Sequence, residues 1–188
     1  MFSEEDGKIL LKLARGAVER YLSGKKWSPE KTNFEEKKGV FVTITDLNGN
    51  LRGCIGYPYP TLPLGEAVQR AAVSAAFEDP RFPPISKDEL KRIAFEVSVL
   101  TEPELIEVEK PEDYLKRIKL GKDGLIVERG FRSGLLLPQV ATEHKMSEKN
   151  FLSHTCLKAG LPPNCWLDKE TKIYKFQAKI FKESSKHT

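Results

Sequence analysis

The 188-residue chain is 39% hydrophobic and 31% charged. A globular chain of that length buries about 70% of its extended surface, so a core requires neither metal nor disulfide. The formal charge of +4 favours solubility and is too small to argue for nucleic acid by itself. Three cysteines, an odd count, argue against a disulfide-stapled secreted scaffold and set a reducing cytoplasm as the expected compartment.

Ser3 followed by Asp6 is a helix-start signal, and Ile9, Leu10, Leu13, Ala17, Val18 and Tyr21 recur at spacings of three and four. An amphipathic helix ending near Ser23-Gly24 is expected. Lys12, Arg15, Glu19 and Arg20 interrupt its apolar residues, unlike a signal peptide or a membrane span. Residues 24–39 read as a surface loop with Trp27 and Phe34 as apolar anchors. Val40, Val42 and Ile44 then alternate with Phe41, Thr43 and Thr45 before Asn48-Gly49, which predicts a hairpin. On its second strand Leu51, Gly53 and Ile55 point one way and Arg52, Cys54 and Gly56 the other.

Pro58, Pro60 and Pro63 lead into a helix with the stripe Leu64, Val68, Ala71 and Ala75, ended by DPRFPP. Ser86 with Glu89 predicts a short helix, and Phe95, Val97 and Val99 against Glu96 and Ser98 a strand. Pro111 opens another short helix. GLIVERG and GLLLP form a second expected hairpin, with Phe131, Arg132 and Ser133 in the connection between Gly130 and Gly134. Pro138 begins a helix to about His144, and Ser147 caps another that Gly160 and Pro162-Pro163 stop. KIYKFQAKIF reads as one last strand, and ESSKHT as a frayed tail. The sum is α+β, a mainly antiparallel sheet flanked by helices.

Cys54 is the first candidate for chemistry. Arg52 stands two residues before it, about 7 Å along a strand and on the same face, where a cation favours a thiolate. The competing reading is a buried sheet cysteine. Gly53 and Gly56 mark a bulge or a close backbone approach, by ligand or by chain. A nucleophilic cysteine needs a base, and the histidines are His144 and His154, which also read as helix-surface residues, and His187 in the tail. His154, Cys156 and Cys165 are a weak zinc signal without any CxxC pair, and no metal is expected.

Asp79 and Arg81 lie in the turn after the alanine-rich helix, where binding residues can collect but where local capping by Asp79 and an ordinary or solvated ion pair for Arg81 are the simpler reading. Glu96 shares a strand face with Ser98, and Asp123-Gly124 suits a turn. Gln139, at a strand-to-helix corner, carries an amide that bonds a ligand or caps backbone. Neither GxGxxG nor GxxxxGK[ST] occurs, so no nucleotide site or other cofactor is expected.

The blocks GVFVTI, LRGCIG, AAFEDPRFPP, ELKRIAFEVSVL, KDGLIVERGFRSGLLLPQV, FLSHTCLKAGLPPNCW and YKFQA run in this order over nearly the whole chain. Together they closely resemble the AMME-region (AMMECR) domain family. The resemblance implies a single α+β domain over residues 1–188, with a larger and a smaller subdomain interleaved in sequence and a groove between them. Carried over by position, it places Arg52, Gly53, Cys54 and Gly56 at the functional surface. Asp79, Arg81, Glu96, Asp123, Gly134 and Gln139 join them as ligand-binding candidates. At Glu143-His144-Lys145 the chain departs from relatives that look more aromatic there, so a role for His144 would not transfer to the family. Related domains accompany Memo-like and radical-SAM proteins, and such a partner is expected here as a separate protein.

Two functional readings follow. In one, a ligand- or partner-binding module, accessory to Memo-like or radical-SAM chemistry, uses Arg52, Arg81 and Gln139 to recognise a small molecule or protein. In the other, an enzyme uses Cys54 near Arg52 on a small substrate or a modified nucleic-acid group, with no base identified. A third reading has the hallmark residues preserve an unusual local fold. Nucleic-acid readout is weakly supported, because basic residues are interleaved with acids and the aromatics sit at core positions. No membrane contact is expected.

Overall fold

Ser3 starts the first helix with a reciprocal cap. Its hydroxyl accepts the Asp6 N–H at 3.1 Å, and the Asp6 carboxylate accepts the Ser3 N–H at 2.7 Å. Helix α1 (Glu4–Leu22) then buries Leu10, Leu11, Ala14, Ala17 and Val18, whereas Ile9 and Tyr21 remain exposed. The buried stripe is therefore rotated slightly from the expected one.

The computed structural model describes residues 2–24 and 26–184, so His187 lies outside the described residues. In chain order α1 is followed by β1 (Val40–Asp46), β2 (Leu51–Tyr57), α2 (Leu64–Phe77), β3 (Ile93–Leu100) and β4 (Glu104–Leu105). Then come α3 (Tyr114–Arg117), β5 (Gly124–Arg129), β6 (Arg132–Leu136), α4 (Pro138–Glu143), α5 (Glu148–Lys158), β7 (Lys172–Phe176) and β8 (Ala178–Lys182). Short tight helical turns cover Glu89–Arg92, Pro111–Asp113 and Cys165–Leu167. The chain divides into two units, the described residues of Met1–Leu100 with Lys179–Thr188, and Thr101–Ala178.

The first unit holds a sheet of order β2-β1-β3-β8, with both β1 pairings antiparallel. Val40, Val42 and Ile44 on β1 and Phe95, Val97 and Val99 on β3 face α1 and α2, as their period of two requires. Helix α2 is buried nearly all round: Val68, Ala71, Ala72, Ala75 and Ala76 are all inaccessible. The small side chains let its backbone reach β2. A Cβ at Gly53 would run into the Ala75 carbonyl, so the absence of a side chain there permits the contact. At the hairpin turn Gly49 takes φ +84°, and the Asp46 carboxylate accepts the N–H groups of Asn48 and Asn50, both at 2.9 Å.

The second unit holds a sheet of order β4-β7-β5-β6, with α5 packed on β5 and β6. The second hairpin is tighter than expected, since Arg129 already pairs with Arg132 and Gly130-Phe131 forms the whole turn. Gly130 has φ +59° and Phe131 is not left-handed, the pattern of a turn with glycine at its first central position. The final expected strand is also corrected: KIYKFQAKIF breaks at Gln177 into β7 and β8, which join different sheets. Thr101 makes the break, its hydroxyl accepting the Gln177 N–H and its own N–H donating to the Gln177 carbonyl, both at 2.8 Å.

A further correction concerns the cysteines. Cys156 on α5 and Cys165, with Cα atoms 6.0 Å apart, form a disulfide, and the odd count is completed by the free Cys54. The chain reverses at Gly160, φ +70°, which brings the two together.

Two stability outcomes follow. Gly53→Ala should destabilise the chain by about 1–3 kcal/mol through overpacking against α2, read as a shift of the urea midpoint. Cys165→Ser should cost about 2–3 kcal/mol for the short loop it reopens, and reductant should lower the midpoint of the wild type but not of the variant.

Candidate functional site

β2 lies at the edge of its sheet, so the N–H groups that point away from β1 have no strand to meet. At Cys54 the turn after α2 supplies the partners. The Cys54 N–H donates to Asp79 Oδ2 at 2.9 Å, and Arg81 Nη2 approaches the Cys54 carbonyl at 3.4 Å. Asp79 in turn grips Arg81, accepting from Nε at 3.0 Å, from Nη2 at 2.7 Å and from the Arg81 N–H at 3.1 Å. These bonds hold the Asp79 carboxyl well below the ordinary carboxylate range despite its burial, with the Arg81 side chain the largest cause. The same pairing raises Arg81.

The Cys54 side chain belongs to a polar row on the sheet face turned from the helices. Thr43 stands opposite Cys54 on β1, and Glu96 opposite Thr43 on β3. Thr43 Oγ1 lies 3.2 Å from Cys54 Sγ, and Lys182 on β8 extends the row with an ion pair to Glu96 at 2.7 Å. Burial pushes the Cys54 thiol up; Thr43 and Arg81 act against that, while Asp79 and Glu96 add to it. The cation that acts on the thiol is thus Arg81.

Arg52 is engaged elsewhere. The register slips between Ile44/Gly53 and Thr45/Leu51, leaving Arg52 as the additional residue of a bulge. Its guanidinium holds Glu89 through Nε at 2.9 Å and Nη2 at 3.4 Å, and this bond is the largest cause of the lowered Glu89 carboxyl. Gly56 leaves room for the Phe41 ring and the Val40 carbonyl, which a Cβ would strike.

Arg52, Gly53, Cys54, Gly56, Asp79, Arg81 and Glu96 therefore all belong to the first unit, and Asp123, Gly134 and Gln139 to the second. Buried Asp123 accepts the Lys119 N–H at 2.9 Å and the Gln177 amide at 3.1 Å, closing a turn. Gly134 lies beneath the Lys158–Ala159 backbone of α5. Gln139 occupies the first turn of α4, where its carbonyl accepts the Thr142 hydroxyl at 2.9 Å. His144 and His154 are exposed and line one hollow in this unit. The cysteines of the weak zinc signal are consumed by the disulfide, and no group of three or more His, Cys, Asp or Glu able to hold a metal occurs among the described residues. Among them, too, no helix is long and apolar enough to cross a membrane. Sequence reading missed Thr43 and Lys182; the hairpin register opposing Thr43 to Cys54 was the available signal for the first, while Lys182 required knowing the strand order.

The arrangement defines an α+β protein of two units, each with its own antiparallel-paired sheet. The AMMECR1 family model matches residues 11–181, and the chain belongs to that family. It is 55% identical over 185 residues to a protein of Methanothermobacter thermautotrophicus, covering 96% of each chain. It is 52% identical to Protein MJ0810 of Methanocaldococcus jannaschii, covering 95% of this chain and 90% of the relative. The crystal structure of uncharacterized protein PH0010 from Pyrococcus horikoshii matches with a TM-score of 0.91 at 52% identity, covering 97% of this chain and 94% of that one.

Because the folded-state Asp79 pKa lies below its unfolded value near 3.8, its stabilisation is complete well above that pH and is lost as pH falls below it. Asp79→Asn should lower stability at neutral pH and flatten the acid limb of the stability curve, measured by denaturant midpoints across acidic pH.

Proposed function

We propose that the protein is a ligand- or partner-binding module whose contact for an anionic group is Arg81, beside Cys54 at the β2 edge. The observation that carries this reading is the asymmetry of the Asp79–Arg81 pair: the Asp79 side chain is 2% exposed and that of Arg81 50%. Asp79 occupies Nε and Nη2, whereas Nη1 makes no hydrogen bond among the described residues. A guanidinium oriented from one side and open on the other binds a carboxylate or phosphate with little side-chain entropy left to lose. In this reading Arg52 supports the site through Glu89 rather than meeting the ligand.

The second reading is an enzyme using Cys54, favoured by the Thr43 hydroxyl beside Sγ. Against it stands the raised thiol, which keeps the nucleophilic thiolate scarce at neutral pH. We propose the cytoplasm as the compartment, and a Memo-like or radical-SAM protein as the partner that the family resemblance suggests. The disulfide is compatible with that compartment, because relatives come from Pyrococcus and similar archaea, whose intracellular proteins are rich in disulfides.

Titration with inorganic phosphate, followed at the Phe82 amide resonance, should give a saturable shift that Arg81→Lys weakens and Arg81→Ala abolishes. Cys54 alkylation should be slow at neutral pH and slower still in Arg81→Ala. A phosphate response that persists in Arg81→Ala rejects the binding assignment, and rapid alkylation of the wild type at neutral pH moves the weight to the enzyme.

A further inference from the structure

A second feature of the first unit lies beyond the end of the Cys54 row and meets it at Lys182. A hollow of about 640 Å³ is bounded by α1, Leu47, residues 90–94 and the end of β8, a volume within the range of ligand clefts. Its lining is apolar where it is deepest in the protein: Leu11 and Ile93 are buried, and Leu90 and Ala94 half-buried. Leu47 adds an exposed apolar side chain.

The charges around this lining are strongly one-sided. Lys8 and Lys12, one helical turn apart, come from α1, and Lys91 and Lys182 from the tight turn before β3 and from β8. All four are exposed. The one carboxylate in the lining, Glu183, is already neutralised: Arg15 holds it at 2.7 and 2.6 Å through Nε and Nη2, and the Phe95 N–H donates to it at 3.0 Å. Lys8 shares an ion pair with Glu5 in which both side chains are exposed, and such surface pairs exchange readily, whereas Lys182 is held by the largely buried Glu96. Lys12 and Lys91 make no ion pair among the described residues.

We infer that this hollow docks an acidic segment of a partner protein, one that carries apolar residues between its carboxylates. The apolar lining receives the uncharged side chains, and the lysines of α1 on one wall and Lys91 of the turn on the other meet the carboxylates. A single-headed anionic amphiphile would call for cations converging at one point; here they are distributed over separate elements, which matches charges spaced along a chain. Complementary charge of this kind also speeds encounter, so binding weakens as salt rises.

Selection of phage-displayed random twelve-residue peptides against the full chain tests the inference. Enriched sequences should place acidic residues on both sides of an apolar one. A synthetic enriched peptide should bind the Lys12→Glu/Lys91→Glu variant at least about 10-fold more weakly than the wild type, because two attractive charges become repulsive. The variant should keep the wild-type thermal midpoint, since both side chains are exposed, and Lys12→Arg/Lys91→Arg should restore binding. Enrichment of neutral or basic sequences, no enrichment at all, or equal affinity for the Glu variant would each overturn the proposal. Saturable binding of dodecanoate that the Glu variant loses, with no peptide enriched, would overturn it in favour of an amphiphile site.

Discussion

The Asp79 carboxylate joins three parts of the first unit: the open edge of β2, the end of α2 and the guanidinium of Arg81. An edge strand with bare N–H groups invites pairing with another chain, and here the turn after a helix closes it. The closure depends on how near α2 comes to the sheet, which in turn rests on Gly53 and on the alanines that line the helix. A buried carboxylate deprived of its donors is costly, so edge, turn and helix are coupled rather than independently stable.

That coupling also shapes the chemistry. Asp79 is displaced downward, and Cys54 and Arg81 upward, all away from neutrality. Groups tuned for proton transfer are displaced toward it. Around Cys54 most charges are matched within the chain, Arg52 with Glu89 and Glu96 with Lys182, so the outer face of Arg81 is the charge with capacity for a further partner.

The two sheets show how differently the chain's signals acted. In the first, the alternation through Val40, Val42 and Ile44, the Asn48-Gly49 turn and the Ser3–Asp6 cap all reappear in the structure, since each relates residues within a few positions of one another. In the second unit the hairpin is present but tighter, because Gly130 alone supplies the conformation that a longer connection would otherwise provide. The family resemblance named Arg52 and Cys54 together, yet it could not say which of the nearby cations acts on the thiol.

The main helix and strand segments and the Asn48-Gly49 turn were determined by the sequence itself, because side-chain period and turn chemistry are local properties. The tertiary structure alone decided that KIYKFQAKIF serves two sheets, since Thr101, seventy-six residues from Gln177, makes the break. It likewise decided that Arg52 binds Glu89 while Arg81 reaches Cys54, and that Cys156 meets Cys165. The partner of a charge, a thiol or an unpaired N–H is whichever group folding brings alongside it, and no period in the chain encodes that proximity.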